Sequence, residues 1–154
     1  MGDEDKKKNE LTTTAEAAQK TADGAKADDP KRKKKFDDAA TAWINVAKWW
    51  NGKNNRFFAE YLQKASGDYR QIKDNANAGV KEEEAAKALK EAADACKKTD
   101  PVTAKDLYNR AAAKFAQAAT DYAAVPDAKA QTSANNQKTS AENESKALDS
   151  VTTK

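Results

Sequence analysis

The chain has 154 residues, of which 34% are charged and 38% hydrophobic, enough for one domain with appendages. Its 28 basic and 25 acidic residues leave a net charge of +3, too even a balance for a bulk nucleic-acid face. It has no histidine, which excludes Ser-His and Cys-His nucleophile pairs, His-ligated zinc and the Glu-x-x-His pairs of di-metal bundles.

In chain order, residues 1–35 hold ten basic and eight acidic groups, and besides Met1 their only large aliphatic is Leu11. So little bulk predicts a polar arm, disordered or weakly helical. Its opening, MGDEDKKKNEL, has no apolar run, and no window of the chain approaches bilayer length. The expected location is cytoplasmic, or nuclear in a eukaryote. Gly2 lacks the Ser or Thr at position six that myristoylation favours, since Lys6 stands there. The stretch TAEAAQKTADGAK is similar to one copy of the eleven-residue repeats of desiccation-protective proteins.

The arm ends in PKRKKKF. Its cations Lys31, Arg32, Lys33, Lys34 and Lys35 are candidate contacts for nucleic-acid phosphate or an anionic membrane. The plainer alternative is a solvated linker.

Residues 36–125 hold nearly all the large apolar side chains, roughly twenty of them, each contributing on the order of 1.5–3 kcal/mol when buried. That segment forms the expected domain. Phe36, Ala40, Trp43, Ala47 and Trp50 step by four and three, predicting a helix over 36–50. Asn51-Gly52 ends it, and Asn54 or Asn55 caps a second helix over 54–74, striped by Phe58, Leu62, Ala65, Tyr69 and Ile72. Continuing that phase would place Glu83, Lys90 and Lys97 on the core face, so a break is inferred at Asp74–Gly79. A third helix follows over 80–98 on Ala85, Leu89, Ala92 and Cys96. Asp100-Pro101 then opens a fourth over 101–125 on Ala104, Tyr108, Ala111, Phe115, Ala118, Tyr122 and Val125. A tetratricopeptide pattern on Ala111, Phe115 and Ala118 is rejected, because Pro126 falls three positions late. Residues 126–154 read as a polar low-complexity tail, helical only near Glu142–Leu148. Short connections make successive helices antiparallel. The expected fold is thus an all-α, up-down four-helix bundle between two polar arms.

No residue set points to chemistry. Cys96 on a core stripe reads as a small buried hydrophobe. Asp37-Asp38 and Glu82-Glu83-Glu84 fall where helix N-termini are expected and complement the macrodipole. No catalytic residue, metal, cofactor or small-molecule substrate is expected. The helix carrying all three tryptophans is apolar over more width than alanine-rich neighbours readily cover. Ile44, Val46, Trp49 and Phe57 are therefore the candidate protein interface, with Trp49 partly exposed.

Trp50-Asn51-Gly52, with Phe58 beyond it, resembles the turn of the small W-x-G type VII secretion substrates. The resemblance implies an exported helical hairpin. Cys96 and Asp100 occupy the spacing of that family's tyrosine–acid signal, with Cys in place of Tyr, while Pro30 and the cation run interrupt the apolar helix the family requires. The expected function is a non-enzymatic structural or adaptor role through protein–protein contacts or self-association. The alternatives are electrostatic binding through residues 31–35 and an exported protein of the W-x-G type.

Overall fold

A computed structural model describes residues 2–149 and is all-helical over them, with α1 Asp3–Asp23, α2 Arg32–Trp50, α3 Asn55–Gln71, α4 Asn75–Cys96, α5 Pro101–Ala123 and α6 Ala128–Ala147. The breaks follow local chemistry. Gly52 takes a left-handed φ of 78° after α2, and the Asn54 side chain accepts from the backbone N–H groups of Arg56 and Phe57 to start α3. Lys73, at φ 58°, turns the chain out of α3, and Asp74 caps α4 through Asn77 N–H. Asp100 accepts from Thr103 N–H, with Pro101 at the first helical position of α5. The break inferred near Asp74–Gly79 is therefore present, although α4 starts at Asn75 rather than near residue 80.

Two expectations are corrected. There are six helices rather than four, and the segments expected as loose arms are helices packed on their neighbours. Leu11, Ala15, Ala18 and Ala22 step by four, three and four along α1. Ala15 and Ala22 are fully buried, and Leu11 and Ala18 are half-buried against α2. In α6, Ala134, Ala141 and Ser145 are buried on α5, with Ala130 and Leu148 at the margins. Alanine stripes add little area per residue, but they let helix backbones approach closely, and that close packing holds both terminal helices. Residues 150–154, the end of the expected tail, lie outside the described residues.

Among the described residues each helix packs chiefly on its predecessor and successor, and α2 and α5 lack the broad contact that would close a four-helix bundle. Alternate helices meet through side chains. Asp68 of α3 senses Asp23 of α1, Arg70 of α3 reaches Asp121 of α5, and Lys97, just past the end of α4, pairs with Glu144 of α6. The chain is therefore a zigzag of helical hairpins. Its largest core runs from Ala47 and Leu62 through Leu89, Leu107, Tyr108 and Phe115 to Ala141, and a second, under α1, gathers Ala15, Ala40, Trp43, Val46 and Ala65. No helix of the described residues is long and apolar enough to cross a membrane.

Candidate functional site

The turn between α2 and α3 builds an aromatic end. Capping by Asn54 fixes the backbone of Phe57 beside Trp50, with ring centroids 4.6 Å apart. Trp49 stands edge-on to Trp50 at 4.8 Å. Lys53 Nζ lies 4.4 Å from the Trp49 ring centroid, and Lys8 of α1 reaches within 5.9 Å of it. Trp49 and Trp50 are half-buried, whereas Phe57 is 41% exposed. Between α1 and α2, Lys7, Leu11, Lys48 and Trp49 line an adjoining groove of about 420 Å³.

The four candidate interface residues are not brought together. Trp49 and Phe57 share this end, and Ile44 is half-buried between the two largest cores. Val46 is fully buried beneath α1 and offers nothing to a partner. The excess apolar width of α2 is real, but α1 covers most of it.

The cation run is the first turn of α2 rather than a linker, and four of its members have partners within the chain. Arg32 Nη1 donates to the carbonyl of Gln71, Lys33 and Lys34 pair with Asp37 and Asp38 one turn on, and Lys35 pairs with Asp29 at 2.7 Å. The hydrogen bonds that Lys33 and Lys34 donate to Asp37 and Asp38 raise the pKa values of both lysines. The Lys35 ammonium, with the Lys31 backbone N–H, lowers that of Asp29. Positive charge at a helix N-terminus opposes the macrodipole, and these carboxylates offset it. Lys31 offers its exposed side chain to solvent, while its N–H donates to Asp29.

Two features escaped sequence reasoning. Glu82, expected at a helix start, sits in the second turn of α4 at 1% exposure. Arg70 Nη2 reaches it at 2.9 Å, Lys114 Nζ lies 3.7 Å from it, and Arg70 also grips Asp121 through two nitrogens at 2.9 and 2.8 Å. Burial works against the Arg70 charge, but hydrogen bonds to Asp121 and Glu82 outweigh it and raise its pKa. Two cations and two carboxylates thus form a neutral, structural lock among α3, α4 and α5.

The other is a groove of about 530 Å³ between α1 and α3. Glu16, Gln19 and Asp23, on one face of α1, form one wall; Glu60, Tyr61 and Lys64 of α3 form the other, and Trp43 is the floor. Burial, then Glu60 and Glu16, raise the Tyr61 pKa. No sequence signal marks it, because its acids and its two aromatics lie on separate helices that only the folded hairpins bring together.

Cys96 is half-buried against the main core, and the described residues include no group of His, Cys, Asp and Glu arranged to hold a metal. Trp50 and Cys96, which the W-x-G resemblance places in one hairpin, stand at the ends of α2 and α4, in different hairpins. No family model matches this sequence, and no curated protein or solved structure is significantly similar to it.

Proposed function

We propose that this protein is a non-enzymatic helical adaptor or structural component that works through protein–protein contacts, with the Trp49–Phe57 end as its contact surface. The observation that carries this reading is Phe57, 41% exposed against Trp50 of a half-buried, edge-on tryptophan pair, at a turn capped by Asn54. Aromatic side chains held in one geometry lose little entropy on binding and dominate interface energetics. Lys7, Lys48 and Lys53 against the single acid Glu4 around the adjoining groove favour a partner with an acidic surface and an apolar anchor. The electrostatic reading of Lys31–Lys35 draws less support, because most of those cations already have internal partners. Ion pairs this exposed contribute little, so they weaken that reading without dissolving it.

A photo-crosslinking phenylalanine analogue at Phe57 tests the proposal, with the same analogue at Val80, 42% exposed near the start of α4, as control. The expected result is a discrete cross-linked species, a partner or a second copy, from position 57 alone, lost on Lys53→Glu. Equal labelling at both positions, or no adduct at 57, overturns the proposal.

A further inference from the structure

The groove between α1 and α3 has the makings of a cation site. Trp43 is 5% exposed, and its indole N–H donates to Gln19 at 2.8 Å, so the ring is held in one orientation. Tyr61 stacks on it with centroids 5.7 Å apart and planes 13° apart. Lys64 Nζ lies 5.2 Å from the Trp43 centroid, so the ring already receives one cation, carried by an exposed and flexible side chain. Glu16, Asp23 and Glu60 line the groove against Lys20 and Lys64. With Lys64 swung out to solvent, three carboxylates face one ammonium. Outside the groove lining, Asp68 of α3 interacts with Gln19 and Asp23 of α1, is 3% exposed, and has no hydrogen-bond partner at Oδ2.

We propose that this groove binds a lysine or arginine side chain of a partner polypeptide, whose cation takes the place of Lys64 over Trp43. Carboxylates on both walls select positive charge, and the stacked rings select a group with apolar approach and a cationic tip. A groove of about 530 Å³ also leaves room for backbone on either side of that tip. The site is separate from the Trp49–Phe57 end, so each proposal stands or fails alone.

The test follows the indole N–H resonance of Trp43 in the full ¹⁵N-labelled chain, assigned with Trp43→Phe, during titration with acetyl-Gly-Lys-Gly-amide, its arginine counterpart and its norleucine counterpart. The lysine and arginine peptides should give a saturable shift and the norleucine peptide none. Lys64→Gln should tighten binding roughly threefold to tenfold by removing the internal competitor, and Glu60→Gln should weaken it by a similar factor. Lys64 and Glu60 are both exposed, so these variants keep the fold. An equal response to norleucine, unchanged affinity in Lys64→Gln, or no saturable shift in that variant overturns the proposal. Ethylammonium binding as tightly as the peptides overturns its polypeptide part.

Discussion

A carboxylate that sits where water cannot reach it records the cost of its position in its own titration. Asp68 is such a group: burial, the larger cause, and the nearby Asp23 raise its pKa to about 6, while Gln19 and Lys64 pull the other way. Because the folded value lies above the ordinary 3.8, its favourable contribution is complete below about pH 4 and is lost as pH rises through 6. Between those limits the penalty approaches about 3 kcal/mol. Asp68→Asn is therefore expected to be the more stable protein at pH 7.5 and to lose that advantage by pH 4. Denaturant midpoints of both proteins across that range give the difference, which cancels every other titrating group. An advantage independent of pH would show that Asp68 is not the source.

At the scale of elements, glycines in two helices separate propensity from packing. Gly67 in α3 has open space where a Cβ would go, so Gly67→Ala should stabilise by roughly 0.5–1 kcal/mol through helix propensity alone. In α4, a Cβ on Gly79 would meet the Tyr122 ring of α5 at 2.8 Å. Overpacking of that kind costs about 1–3 kcal/mol, so Gly79→Ala should destabilise despite the same gain in propensity. Thermal or urea unfolding of the two variants checks the opposite signs. The same close approach explains what could be read from sequence among the helices. α2, α3 and α5 declare themselves through Trp, Phe, Tyr and Leu at helical spacing, and the break before α4 follows from phase. The faces of α1 and α6 are written in alanine, which also fills solvent-facing positions, so Leu11, Ala15, Ala18 and Ala22 do not stand out by bulk. Treating α1 as a loose arm is also what left Val46 looking free for a partner. The aromatic end was legible because Asn-Gly and a capping Asn mark a turn wherever they occur. The Trp43 groove was not, because its walls lie on helices whose pairing no local signal fixes.

Across the whole molecule, contacts between consecutive helices make stability close to a sum of neighbour terms, as in repeat arrays. The Arg70 cluster is an exception, since it ties α3 to both α4 and α5. Replacing Arg70 by Ala leaves Lys114, 3.7 Å from Glu82, as the sole cation for two carboxylates that are 1% and 3% exposed. Breaking a buried ionic group in this way costs about 3–5 kcal/mol. In a closed bundle such a loss would spread evenly, because every helix supports every other. Here it falls at the α3–α4 junction, where the main core reaches across through Ala59 and Leu62, between the α1–α3 side, with its own core of Trp43 and Val46, and the α4–α6 side, which holds Leu89, Leu107, Tyr108 and Phe115. Hydrogen exchange in Arg70→Ala at low denaturant should therefore show α1–α3 amides losing protection well before those of α4–α6. In the unaltered chain the two sets should open more nearly together. Uniform loss of protection across all six helices would mean that coupling between the two sides does not pass through Arg70.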